Sequence, residues 1–359
     1  MRVLSILTAL SILISTDLLT AQIGGNSVYE FMRLPPSARI TGLGGSLITV
    51  RDGDVTLAAH NPAALNAQMH NVISFNQSIH MAGIPYGYLA YGHHLDKIGL
   101  TLHGGLQYID YGKFVSTDAA GNDLSEFRAS EYAFSVGAGY QAGKYLSFGA
   151  NAKTMLSYLE GYNSTGLAFD LATMFSDTAH RITASIVIKN LGTQLSTYTR
   201  DKNHENLPLD IQIGIAHRLK YIPLRFSVIA HNLQRWGIRY DDPARQEDQS
   251  LFTDNPDEEA PAQDKVTAGE WFDNFFRHFI FNMEFLFGKK ENVRVAIGYN
   301  HLRRGELTVK GLGTLGGFSF GLGVKVKQFR IDYGFAAYHM VGFSHQFGVS
   351  VNINEFKKG

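Results

Sequence analysis

Leu209-Asp210-Ile211-Gln212-Ile213-Gly214-Ile215-Ala216 alternates a large aliphatic residue with a small or polar one at every step. Successive side chains of a β-strand point to opposite sides, so this stretch has one greasy face and one thin, polar face. The rhythm returns in Tyr132, Phe134, Val136, Ala138 and Tyr140 against Ala133, Ser135, Gly137, Gly139 and Gln141. It returns again in Leu146 to Lys153, in Val293 to Asn300 and in Phe343 to Ile353. A water-soluble sandwich shows the same period, so the connections between strands carry the decision.

Alternation and turn residues predict strands near 72–80, 86–95, 98–109, 130–142, 145–158, 165–176, 180–190, 207–220, 223–234, 275–287, 292–301, 314–327, 328–338 and 343–353. Each is long enough to cross a bilayer at a tilt. Links after the even strands up to the twelfth are short, such as Gly143-Lys144 and Lys327-Gln328. Links after the third, seventh, ninth and eleventh are long, covering 110–129, 191–206, 235–274 and 302–313. Short periplasmic turns alternating with long outer loops on an even strand number are the pattern of an outer-membrane barrel. A sandwich has no reason to keep that parity. The expected fold is all-β: a 14-stranded antiparallel transmembrane β-barrel, over residues 72–359, in the cell outer membrane.

Composition agrees. Glycine is 37 of 359 residues, aromatic residues are 12% and charged residues 18%, where soluble domains average ~7% glycine and ~25% charge. Tyr108, Tyr111 and Tyr132 cluster at one expected rim, and Tyr140 and Tyr145 at the other, where amphipathic rings sit well. A formal net charge of zero leaves no basic footprint for nucleic acid. The absence of cysteine excludes disulfides, thiolate metal sites and cysteine catalysis.

Residues 1–21 read as a secretory signal: Arg2, an apolar stretch from Val3 to Ile14, then Leu19-Thr20-Ala21 as a small-residue cleavage site. Asp17 and the scattered Ser and Thr interrupt the alternative, a membrane-spanning helix. Residues 22–71 do not alternate. They hold Leu34-Pro35-Pro36, Gly42-Leu43-Gly44-Gly45 and the motif Asn61, Pro62, Ala63, a density of glycine and proline that favours tight irregular backbone. The segment is expected to be a hatch or plug folded into the barrel; the other reading is a small periplasmic extension.

No catalytic or metal constellation stands out. His93 and His94 point to opposite faces of a strand, and the remaining histidines are scattered. Asp52-Gly53-Asp54 begins like a calcium loop without the glutamate that completes one, so a polar turn is expected. The glycines from Gly311 to Gly323 lack the strand-to-helix setting of a phosphate loop. They suit a thin wall strand that leaves lumen space or lets the hatch approach. No cofactor, metal or enzymatic activity is therefore expected.

The segment Arg235 to Lys265 holds nine acids, among them Asp241, Asp242, Glu247, Asp248, Asp257, Glu258 and Glu259, against four bases. It is either a solvated surface loop or a docking surface for a basic partner or for cations bridging lipopolysaccharide. Trp271, Phe272, Phe275, Phe276 and Phe279 follow at spacings of an amphipathic helix that would lie at the interface.

Several stretches resemble the PorQ family of the type IX secretion system of Bacteroidota, itself similar to FadL-type transporters. They are Ser27-Val28-Tyr29-Glu30-Phe31, Leu34-Pro35, Ser37-Ala38-Arg39, Leu43-Gly44-Gly45 and Asn61-Pro62-Ala63-Ala64-Leu65 in the hatch. In the barrel they are Tyr108-Ile109-Asp110-Tyr111-Gly112-Lys113-Phe114, Ile188-Lys189-Asn190-Leu191-Gly192-Thr193-Gln194 and Phe329-Arg330-Ile331-Asp332-Tyr333. The resemblance implies fourteen strands with an N-terminal hatch. It also implies a non-enzymatic place in the attachment complex, tethering a PorZ-like surface protein beside PorU-like and PorV-like proteins. Secreted cargo would there be joined to lipopolysaccharide. The alternative is a FadL-like channel for hydrophobic small molecules. Inward residues that are small and polar, such as Ser135, Gly137 and Asn151, favour a plugged support.

Overall fold

The computed structural model describes residues 27–79, 83–118, 120–199, 204–238, 268–288, 291–307, 315–337 and 342–356. The expected signal segment and the acidic residues from Asp241 to Glu259 lie outside them.

Fourteen strands close into one antiparallel barrel. They are β1 (Val72–Ile79), β2 (Pro85–Leu95), β3 (Leu100–Thr117), β4 (Asp123–Ala142), β5 (Leu146–Leu159), β6 (Tyr162–Asp177) and β7 (Ile182–Ser196). They continue with β8 (Asp210–Arg218), β9 (Leu224–Ala230), β10 (Phe279–Phe287), β11 (Val293–Asn300), β12 (Phe318–Val326), β13 (Phe329–Ala337) and β14 (Phe343–Asn352). Every strand pairs with its neighbours in sequence, and β1 pairs with β14 from Val72↔Asn352 to Ile79↔His345 to complete the ring. Closure leaves no edge, so every strand in hydrocarbon has its N–H and C=O groups paired on both sides.

The faces follow the alternation. On β14, Phe343, Phe347 and Val349 are exposed outward, while Ser344 and Gln346 are fully buried on the lumen side. On β8, Ile213 and Ile215 face out, and Gln212, Gly214 and Ala216 face in. The barrel is a soluble protein turned inside out, with its large apolar residues spent on lipid. Among the described residues no helix is long and apolar enough to cross a membrane.

One expected outer loop is not a loop. Residues 110–129 continue β3 and β4 as a hairpin paired out to Thr117↔Asp123. Both faces of this extension meet water, so the alternation that marks a membrane wall fades while the strands continue. It is held by stacked Phe114 and Phe127 rings 5.4 Å apart and by Lys113 with Glu126 at 2.9 Å. At its tip the Asp118 carboxylate accepts the N–H groups of Ala120 and Asn122. β7 likewise continues to Ser196, and its pairing with β8 stops at Lys189↔Asp210, leaving a notch in the wall at the loop end. Among the described residues three α-helices accompany the strands: α1 (Ala38–Gly42), packed on the inner side of β12 and β13, α2 (Ala268–Arg277) and α3 (His301–Glu306). The helix anticipated from the Trp and Phe spacing is α2, although it ends at Arg277 and Phe279 already begins β10.

A charge placed halfway along the outer face of β14 meets hydrocarbon, whereas one at its turn end reaches headgroups. Phe347→Arg is therefore expected to lower unfolding free energy by ~2–4 kcal/mol and Ile353→Arg by only ~0–1 kcal/mol, compared by urea titration in phospholipid vesicles.

Candidate functional site: a lumen closed by the hatch

Residues 28–69 run through the lumen as short helical turns with almost no exposure. Ile40, Leu43, Leu47, Ile48, Leu57 and Leu65 share one apolar core with inward residues of the wall, among them Tyr88, Met174, Val187, Ile229 and Ile280. Irregular backbone in a space shut from water must find partners for its carbonyls. The wall supplies them from its inward residues. Ser147 Oγ donates to Ala63 O at 2.8 Å, Asn151 Nδ2 to Ala58 O at 2.9 Å, and Ser185 Oγ to Ile48 O at 2.7 Å. Asn282 donates to Ser46 O at 2.9 Å, Ser319 to Gly42 O at 3.1 Å, and Gln107 to Phe31 O at 3.0 Å. The polar inner face is therefore a set of hydrogen-bond partners for the plug.

Close approach explains the inward glycines. A Cβ on Gly149 would stand 2.4 Å from Ala63 N, and one on Gly334 would stand 2.1 Å from Ala38 O. Gly42 of α1 lies so near Gly321 of β12 that a Cβ on it would be 2.6 Å from Gly321 Cα. This is the approach anticipated for the glycine-rich strand, of which residues 311–314 lie outside the described set.

Asn61, Pro62 and Ala63 form one tight turn pressed against β4 and β5. Asn61 Oδ1 accepts from Ala63 N at 2.9 Å and caps the turn, Pro62 begins it, and Asn61 Nδ2 donates to Ile48 O at 2.6 Å. The motif is thus architectural: it ties one hatch segment to another and offers Ala63 O to the wall.

Asp52 and Asp54, read from sequence as a polar turn, belong to an ionic clamp. Arg39, in α1, is almost fully buried. It reaches Glu284 of β10 at 2.9 Å, Asp52 at 2.9 Å and Asp54 at 3.1 Å. Glu284 also receives Arg225 of β9 at 2.8 Å, and Arg294 of β11 pairs with Asp332 of β13 at 2.8 Å. Burial works to raise the Asp52 carboxyl, but the guanidinium groups of Arg39 and Arg294 outweigh it and hold it well below the usual carboxylate range. A second buried pair joins Lys153 of β5 to Asp170 of β6 at 2.7 Å, and Lys153 also donates to Asn190 Oδ1 at 3.0 Å. Asn190 sits at φ 58 beside the β-bulge between Phe169 and Leu171, and its N–H reaches Asp170 at 2.9 Å. Nearby, burial and then the charges of Lys189 and Lys153 push the imidazole of His60, in the hatch, well below its usual range, so it is neutral.

Sequence reasoning puts Lys153 and Arg294 on the inward face of their strands and Asp332 in a family-like stretch, but reads none of them, nor Glu284 or Asp170, as part of an ionic site. Their signal is a charged residue at an inward position between two lipid-facing ones, as with Glu284 between Met283 and Phe285. The hatch divides the lumen into separate cavities, of which one of about 720 Å³ opens at the turn end beside Thr49, Val50 and Arg51. One cavity of about 20 Å³ lies between His60, Tyr88, Gln107, Lys153 and Lys189. A larger one of about 480 Å³ opens at the loop-end notch, lined by Arg33, Asn190, Asn232, Leu191, Leu207 and Ile238. Among the described residues no group of three His, Asp or Glu could hold a metal ion.

In three dimensions the chain is similar to a TodX monoaromatic hydrocarbon channel bearing the deltaS2 mutation, with a TM-score of 0.50 at 12% identity over 88% of this chain and 97% of that one. A Pseudomonas aeruginosa FadL homologue gives a TM-score of 0.45 at 9% identity, over 88% and 98% of the two chains. The KdgM porin gives 0.32 at 7% identity, over 78% and 98%. No protein-family model and no curated protein matches the sequence. Strand number, closure and likeness define the class: an outer-membrane β-barrel of FadL-like fold, with an N-terminal segment ahead of its first strand.

Breaking one partner of a buried ionic cluster leaves charges stranded. Arg39→Met is expected to lower stability by ~3–5 kcal/mol, and adding Glu284→Gln to recover part of that loss, in a urea-unfolding double-mutant cycle. Because the Asp52 carboxyl lies below its unfolded range, its contribution is complete at neutral pH and is lost as pH falls through the folded value. Hatch cleavage by an acid-tolerant protease is therefore expected to rise on acidification, and less so in Asp52→Asn.

Proposed function

We propose that this barrel is a non-enzymatic outer-membrane component of a type IX secretion attachment complex. In this reading its loop end holds a PorZ-like surface protein, in company with PorU-like and PorV-like proteins, while secreted cargo is attached to lipopolysaccharide. The observation that supports a support over a duct is the filled lumen. Hatch carbonyls are bonded to wall side chains, and Arg39 ties the hatch to β10 through an ion pair at 2.9 Å. A plug held this way is costly to move, because the ionic and hydrogen-bonding groups of the wall would lose their partners. The stretches that resemble the PorQ family add to it. Ile188 to Gln194 contains the Lys189-Asn190 pair that lies buried at the β6–β7 bulge, and Ser37-Ala38-Arg39 contains the clamp arginine. The acidic segment from Asp241 to Glu259 is proposed as the partner-facing surface.

A second reading has its own observations. The TodX channel shares the fold, and the notch beyond Lys189 is lined partly by Leu191, Leu207 and Ile238. A channel for hydrophobic small molecules needs an entry of this kind and a lumen that can open.

The two readings part in one pair of measurements. A tagged chain recovered from native outer membranes is expected to bring a large surface protein with it, and removal of residues 241–264 to weaken that capture. Purified barrel in a planar bilayer is expected to stay closed to ions. Recovery of the barrel alone, together with a deletion strain that loses only uptake of hydrophobic compounds, would favour the channel instead.

A further inference from the structure

Helix α2 divides cleanly by face. Asp273, Asn274 and Arg277 turn towards the barrel rim. The Asp273 carboxylate takes Arg277 Nε at 2.8 Å and lies 3.1 Å from His301 Nε2 of α3. Asn274 donates to Trp236 O at 2.9 Å and accepts from Ile238 N at 3.3 Å. These bonds fix the roll of the helix, and they leave Trp271, Phe272 and Phe276 on the other side, each about half exposed. Trp236, also about half exposed, stacks on His278 at 5.1 Å and stands 6.2 Å from Phe275.

A free aromatic face admits several occupants, and one observation selects among them. The rings continue without a break into the lipid-facing wall. Trp271 stacks on Phe275 at 5.5 Å, and Phe275 meets Phe279 at 4.9 Å. Phe279 meets Phe281 at 6.3 Å, Phe281 meets Tyr299 at 6.5 Å, and Tyr299 meets Phe318 at 4.9 Å. Phe279, Phe281 and Tyr299 stand on the outward face of β10 and β11, opposite in parity to the buried Ile280, Asn282 and Asn300. A surface that already meets hydrocarbon therefore runs up onto the helix. Trp and Tyr at a barrel rim sit where headgroups meet acyl chains, and a helix polar on one side and aromatic on the other lies in that plane.

We propose that α2 is seated in the outer leaflet of the membrane that holds the barrel, its aromatic face against lipid and its polar face bracketed to α3. Both occupants of the rim, the helix and the Trp236 ring beside it, would then sit at headgroup depth. The chain has two tryptophans, Trp236 and Trp271, and both belong to this cluster. Its tryptophan emission therefore reports on this surface alone.

The full chain is reconstituted in phosphatidylcholine vesicles whose acyl chains are brominated either near the headgroup or near the chain ends. With Trp236→Phe isolating Trp271, bromines near the headgroup are expected to quench its emission about twofold or more. Bromines at the chain ends are expected to quench it less, and aqueous acrylamide least of all. Emission insensitive to both brominated lipids but quenched by acrylamide would overturn the proposal and mark the face as one that awaits a protein. Should Trp236→Phe fail to insert, the difference between the unaltered chain and Trp271→Phe gives the same reading.

Discussion

Irregular backbone threaded through a barrel carries carbonyl and amide groups into a space without free water, and the rest of this structure answers to that constraint. Strands satisfy their own backbone by closing the ring. The hatch cannot, so the wall must lend it side chains. Serine and asparagine at inward positions are long enough to reach a carbonyl and short enough to leave room for the chain that carries it. Where even these are too large, as beside Pro62 and Ala63 or beside Ala38, the wall has glycine.

The charged residues follow from the same enclosure. A buried guanidinium such as Arg39 is tolerable only with carboxylates around it, and the lumen provides Asp52, Asp54 and Glu284. Such a cluster adds little net stability compared with a greasy core of equal volume. Its strength is directional: it is satisfied in one placement of the hatch and costly in any other. The ionic lumen thus favours one placement of the plug, and the apolar cluster around Ile40, Leu47 and Leu57 packs it there.

The fold was legible in the sequence wherever a strand has two different surroundings. Ile213 and Gln212, or Phe347 and Gln346, differ because one of each pair meets lipid and the other meets the hatch. The hairpin beyond Asp110 was illegible for the complementary reason, since Phe114, Val115 and Leu124 are exposed where both faces are wet. Helix α2 was legible because Trp271, Phe272, Phe275 and Phe276 recur at helical spacing. The clamp was only half legible. Parity marks Glu284 and Arg294 as inward, but nothing in the order of residues says that their partners arrive from Arg39 and Asp52, hundreds of positions away in the chain. Asn61, Pro62 and Ala63 could be recognised as a turn, and what that turn leans on became visible only in three dimensions.

The seam between β1 and β14 joins the first strand to the last, so the ring is finished only by the end of the chain. Both strands of that seam grip the hatch: Asn76 of β1 accepts the N–H of Ala38, and Gln346 of β14 bonds to Thr41 and Pro35 O. Contacts so far apart in sequence carry a large loop-closure cost. The closing seam of the barrel is also a grip on its plug. A barrel closed around an empty lumen would leave Asn76 and Gln346 to water, and the seam would lose the bonds that Ala38, Thr41 and Pro35 give it.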